Sequence, residues 1–171
     1  SLANSAGIFL GPDYHFDLAR PGCALYGVNP TPGRTNPMRP VIRLMARVLQ
    51  VRNVDSLMTV GYGAAHPVAR KGKVATIAVG YADGYDRSLG GAGFVLACGV
   101  PAPIIGRVSM DLITIDVTDV PRTPCPGDFV DLIGDHRPVD QVAREAHTIG
   151  YEILTSLGGR YHRLYLPSGR E

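Results

Sequence analysis

Lysine is almost missing from this chain: among 171 residues only Lys71 and Lys73 occur, and there is no tryptophan. Cysteine is scarce too. Cys23, Cys98 and Cys125 are odd in number and widely spaced, so the sequence carries neither a disulfide framework nor a zinc motif, and a reducing compartment fits. The five histidines also lack the spacing of metal ligands, so no metal site is expected. The formal net charge is only +2, positive charge comes mostly as single arginines, and aromatics make up 7%. Without a basic run, a nucleic-acid partner is not expected. No apolar stretch approaches the roughly 20 residues that cross a bilayer as a helix, so no membrane partner is expected either. No signal peptide is visible, and the chain opens on Ser1-Leu2-Ala3-Asn4-Ser5-Ala6-Gly7 without a methionine. It therefore reads as a fragment whose start lies upstream.

What is present is glycine and proline, 21 and 14 residues, against 45% apolar and 19% charged residues. That composition is globular, and a chain of this length can bury ~70% of its unfolded surface. The breakers cut the sequence into short pieces, which predicts strands joined by turns. Strand-like runs are Gly22 to Gly27, Val41 to Val54, Val74 to Tyr81, Phe94 to Cys98, Asp111 to Val117, Phe129 to Ile133 and a closing strand from Tyr161 to Leu166. In the second run the apolar phase at Ile42, Leu44, Ala46 and Val48 slips near Leu49, which predicts a bulge. Ile113, Ile115 and Val117 alternate with Thr114 and Asp116. Between Val139 and Leu157 the spacing is helical, with a break near Gly150. The proline-rich stretch from Asn29 to Pro40 reads as a linker. Residues 38–171 are therefore expected to form an all-β barrel or sandwich with one helical interlude.

Two tyrosines stand between glycines or near them, in Gly61-Tyr62-Gly63 and Gly80-Tyr81-Ala82-Asp83-Gly84. A ring on such thin backbone projects into open space, which suits a phenol that must reach a ligand. A phenol ordinarily titrates near 10, so as a base it needs help, usually from positive charge. Taken singly, each motif also has an ordinary explanation. Tyr62 could end a strand with a satisfied hydroxyl, and Asp83-Gly84 could be a plain turn. Met110 in Gly106-Arg107-Val108-Ser109-Met110-Asp111 could fill a core. Arg20-Pro21-Gly22 and Asn4-Ser5-Ala6-Gly7 could hold an anion with backbone N–H groups, a guanidinium and a hydroxyl, or form ordinary turns. Lys71-Gly72-Lys73 lacks the frame of a phosphate loop.

In order and spacing these pieces, with Leu25-Tyr26-Gly27 and Gly150-Tyr151-Glu152-Ile153-Leu154, resemble the alanine racemase family. These are fold-type III enzymes that use pyridoxal 5'-phosphate. The resemblance covers nearly the whole chain; the gap from Tyr81 to Met110 carries one extra residue. It implies a mainly β fold: the family's C-terminal β-barrel or sandwich domain with a helical interlude, preceded by the last part of a TIM-like (β/α)8 barrel. Residues 1–34 would close the cofactor-binding barrel, and residues 35–171 would form the β domain.

The same resemblance implies interconversion of L-alanine and D-alanine, supplying D-alanine for cell-wall peptidoglycan. It implies a cytoplasmic homodimer with shared active sites. Tyr62 would be the second base, acting in the partner subunit's site. Met110, through its backbone N–H, and Tyr81 would contact substrate. Ser5, Gly22, Cys23 and Tyr151 would hold the cofactor phosphate, and Arg20 would face its pyridine nitrogen. Arg87, Arg107 and Ile149 would line an access corridor. One departure stands out. The family's Schiff-base lysine is absent, since Lys71 and Lys73 lie in the wrong context. The missing N-terminal barrel half would carry it, and this chain alone is expected to be inactive. Two alternatives remain open: a broad-specificity racemase of the same fold, and a non-catalytic β module that binds a partner. A basic amino-acid decarboxylase of this fold would normally carry an acid where Arg20 stands.

Overall fold

The computed structural model describes residues 1–167. Its N-terminal segment holds one short helix, α1 (Ser5–Ile8), capped by Asn4, whose side-chain oxygen accepts the Gly7 N–H at 2.9 Å. Two 3-10 turns follow at Pro12–Tyr14 and Cys23–Tyr26. After the proline-rich stretch come β1 (Leu44–Val54), β2 (Thr59–Val60), β3 (His66–Pro67), β4 (Gly72–Ile77), β5 (Phe94–Ala97), β6 (Val100–Ile105), β7 (Ile113–Asp116) and β8 (Phe129–Ile133). Two helices, α2 (Val139–Glu145) and α3 (Gly150–Ser156), come last.

Six strands close into an antiparallel barrel in the order β1-β4-β7-β6-β5-β8, while β2 and β3 form a separate small hairpin. The period-2 pattern explains the closure. Leu44, Ala46 and Val48 of β1 point inward while Met45, Arg47 and Leu49 face out. The register then shifts between Val48 and Gln50, at the expected bulge, and lets one strand pair with β8 at its start and β4 at its end. Ile113, Ile115 and Val117 are all buried. Each such side chain contributes about 1.5–3 kcal/mol relative to an exposed one.

Four expectations need correction. The run from Gly22 to Gly27 is a 3-10 turn, because the Gly22 and Ala24 N–H groups go to the Ser5 hydroxyl and not to a neighbouring strand. Residues 161–166 form no strand: β8 already pairs with β1, so the closed barrel offers no free edge. The run from Val74 ends as a strand at Ile77, and Tyr81 opens a 3-10 turn. Strand β6 was hidden by Pro101 and Pro103. Pairing with β7 begins only at Ile104, so the missing proline donors face no partner strand.

Helices α2 and α3 pack on the barrel through Val142, Ala143 and Ile153. They also receive the N-terminal segment: Val28 sits against Gly150, and Asp140 accepts the Asn29 N–H at 2.9 Å. No helix among the described residues is long and apolar enough to cross a membrane.

Candidate active site

The expected site residues fall into two groups. The first surrounds α1. Ser5 is buried, and its hydroxyl oxygen accepts N–H groups from Gly22 at 2.9 Å and Ala24 at 3.3 Å. Its own hydrogen is left to donate outward. The space a side chain would take at Gly22 is empty, which leaves the backbone open to a ligand. Among the described residues, nothing accepts the Cys23 N–H. Arg20 is held against the chain's first residues, donating to the Ser1 carbonyl at 3.0 Å and the Ser1 hydroxyl at 2.9 Å. Tyr151, in the first turn of α3, lies beside Cys23. That neighbour, then partial burial and Asp140, push its phenol up to about 12. Tyr151 is therefore a donor at neutral pH. Ile149 caps the same helix and is exposed.

The second group sits on three loops at one end of the barrel. The Tyr62–Ala64 turn leaves β2 with Gly61 at φ 83° and Gly63 at φ 69°. Both angles favour glycine, and together they turn the Tyr62 ring outward, 75% exposed. No hydrogen bond among the described residues uses its hydroxyl, unlike a tyrosine satisfied at a strand end. The Tyr62 turn lies against the Gly106–Asp111 loop: a Cβ on Gly106 would stand 3.2 Å from the Val60 carbonyl oxygen. That loop in turn is bonded to the Tyr81–Asp83 turn, since Tyr81 N–H donates to Ser109 O and Ala82 N–H to Met110 O, both at 3.0 Å. The Met110 N–H is used by none of the described residues and faces no competitor for an acceptor. The Arg87 guanidinium lies 5.8 Å from the Tyr81 ring centre, and Arg107 adjoins Gly61.

Gly80 is where these loops meet most closely. A Cβ there would overlap the backbone carbonyls of Ser109 and Met110. Gly80→Ala must push the Tyr81 loop from the Met110 loop. A loss of about 1–3 kcal/mol in stability is expected for such overpacking, read as a lower urea midpoint of the complete protein.

Helix α3 stands between the two groups. Its first turn carries Tyr151, and its last residue, Ser156, packs against Gly84 behind Tyr81. Asp83 and Asp111, which the sequence shows only as parts of motifs, and Arg160, which it does not single out, complete the second group through ion pairs described below. Arg160 lies about 50 or more positions from both carboxylates, so no local pattern signals it.

The family model for the alanine racemase C-terminal domain matches residues 41–165, and that for the N-terminal domain matches residues 1–30. The chain belongs to the alanine racemase family. The alanine racemase of Rhodospirillum rubrum is 54% identical over 96% of this chain and 44% of that protein. The alanine racemase of Acidiphilium cryptum is 56% identical over 96% of this chain and 46% of that protein. Among solved structures, alanine racemase from Bartonella henselae, with covalently bound pyridoxal phosphate, superposes with a TM-score of 0.91 at 48% identity, covering 96% of this chain and 46% of that one. The chain thus spans somewhat less than half the length of these racemases. Neither lysine of the chain touches either group of the site: Lys71 pairs with Asp55 at 3.6 Å and Lys73 donates to Thr123 at 3.0 Å.

Proposed function

We propose that this chain is the C-terminal part of a pyridoxal 5'-phosphate-dependent alanine racemase, in which Tyr62 is one of two bases that exchange the α-proton of alanine. The observation that carries the reading is the outward Tyr62 phenol, bonded to none of the described residues, on a turn that lies against the loop carrying the unused Met110 N–H. A phenol this exposed is not enclosed by its own chain. That supports a site completed by a second subunit, where Tyr62 meets a substrate held by the partner.

The first group of residues suits a phosphate. Ser5 and Tyr151 can donate hydroxyl hydrogens, Cys23 can donate its N–H, and Gly22 keeps the backbone bare. The cofactor, when bound, supplies the electron sink that makes the α-proton acidic. The chain's own residues do the rest. Tyr62 takes the proton from one face of L-alanine and returns one in the opposite direction. Met110 N–H meets the substrate carboxylate. Tyr81, Tyr62 and Tyr151 keep the pocket small, with Arg87, Arg107 and Ile149 outside them. Arg20 would face the pyridine nitrogen and, as a fixed cation, would keep it unprotonated. The lysine base that this reading requires is not matched by Lys71 or Lys73, so residues 1–171 alone are expected to be inactive. The family context supports a cytoplasmic homodimer that supplies D-alanine for peptidoglycan.

A substrate panel on the complete protein tests this reading. Alanine is expected to exceed lysine and arginine in kcat/KM by about tenfold or more, since each misfit in a tight pocket costs 1–3 kcal/mol. Comparable turnover of the large amino acids would replace the alanine-specific reading with a broad-specificity racemase.

A further inference from the structure

The segment that follows α3, residues 157–163, is a strap across the backs of the Tyr81 and Met110 loops. Gly158 N–H donates to Asp83 O at 2.9 Å, and Gly84 packs on Ser156. Arg163 closes the strap on itself by donating to the carbonyls of Leu157 and Gly158, both at 3.2 Å. The strap reaches forward through one side chain. Arg160 places Nε 3.2 Å from Asp83 Oδ1 and Nη1 2.8 Å from Asp111 Oδ1. Asp83 is nearly buried, and its other oxygen accepts the Gly80 N–H at 2.9 Å. One guanidinium therefore joins the carboxylate that shapes the Tyr81 turn to the carboxylate directly after Met110.

We propose that Arg160 is a positioning residue that fixes the Tyr81 loop against the Met110 loop and neutralises Asp111 beside the group that receives the substrate carboxylate. The inference rests on the racemase reading above and extends it to a residue outside the substrate contacts. Two effects favour this role over a merely structural one. Arg160 and Asp111 are each about half exposed, 53% of the side chain, so their pair adds little to folding stability. Without Arg160, however, Asp83 and Asp111 repel each other across the two loops. An unpaired Asp111 would also repel a carboxylate arriving one residue away.

The test uses the complete racemase with Arg160→Gln, Arg160→Lys and Arg160→Gln/Asp111→Asn. In Arg160→Gln, alanine KM is expected to rise about five- to tenfold with kcat within about twofold of the unreplaced enzyme, and Tm to fall only modestly, since Asp83 loses one partner but keeps the Gly80 N–H. Arg160→Lys keeps the charge and should hold KM near its original value. Adding Asp111→Asn to Arg160→Gln removes the stranded charge and should bring KM back part of the way. An unmoved KM in an active Arg160→Gln enzyme overturns the proposal. A KM rise that Asp111→Asn leaves untouched overturns it as well. Insolubility of Arg160→Gln, or a large drop in Tm, assigns Arg160 to the fold and overturns it too. If the unreplaced protein does not racemise alanine, the functional reading itself falls, which is a distinguishable outcome.

Discussion

Replacing Tyr62 by phenylalanine in the complete protein is expected to slow alanine racemisation by about a hundredfold or more, in both directions. The substitution deletes one oxygen from a side chain that is 75% exposed and hydrogen-bonded to none of the described residues. Folding stability should therefore stay within ~0.5 kcal/mol of the original, as for surface changes away from special features. The cofactor's absorbance should also be unchanged, because the residues proposed to hold its phosphate lie in the other group, around Ser5 and Tyr151. A loss confined to turnover separates a base from a packing residue. Near-normal activity would return Tyr62 to the role of an ordinary surface tyrosine.

The largest expected effect on stability comes from a different place. Arg137 is fully buried, with its guanidinium paired to both oxygens of Glu145 at 3.1 and 2.8 Å. It also donates to Leu132 O at 3.0 Å and lies over the Phe94 ring, 4.0 Å from its centre. Glu145→Ala strands that charge in the core beside Tyr85, whose phenol is itself pushed up by burial. Removing one partner of a buried pair costs about 3–5 kcal/mol, so a large fall in the urea midpoint of the complete protein is expected. Arg137→Met/Glu145→Leu removes both charges and should cost far less than Glu145→Ala. Equal costs would mean that the site is held by packing alone. The outcome matters for function as well as folding, because Tyr85, which follows the Tyr81–Asp83 turn after Gly84, is buried beside this pair.

Much of the fold was legible because barrel strands write their burial into alternate positions. The alternation at Ile113, Ile115 and Val117, the phase slip near Leu49 and the helical spacing broken at Gly150 each reappear in the structure. The failures have one physical cause: a strand is a relation to a partner, and local sequence does not show whether a partner edge exists. Cys23–Tyr26 is apolar enough for a strand, but the Ser5 hydroxyl accepts the N–H groups of Gly22 and Ala24. Residues 161–166 carry Tyr161, Leu164, Tyr165 and Leu166, but the barrel is already closed. Strand β6 carries Pro101 and Pro103, which argue against a strand, and only their uncovered side removes the objection.

The candidate site was legible in part for a similar reason. Glycine beside tyrosine signals a ring on open backbone, and the structure does turn Tyr62 outward. The Arg160 bridge and the Arg137–Glu145 pair carried no such signal. They depend on contacts between distant positions, and arginine followed by tyrosine or proline means nothing by itself. That the loops of Met110 and Tyr81 lie side by side also emerges only from the barrel's order, which sets β4 beside β7 and β7 beside β6, and the Tyr62 turn reaches them from the separate β2–β3 hairpin.

The central claim is that Tyr62 acts in the partner subunit's site, and subunit complementation tests it most directly. One complete subunit would carry Tyr62→Phe, and the other would lack the lysine that holds the cofactor. Each homodimer should be nearly inactive. In mixed dimers a shared site puts both lesions into one active site and leaves the other intact. Random mixing should then restore about a quarter of the original activity. Mixed dimers as inactive as their parents would place Tyr62 in its own subunit's site and contradict the account.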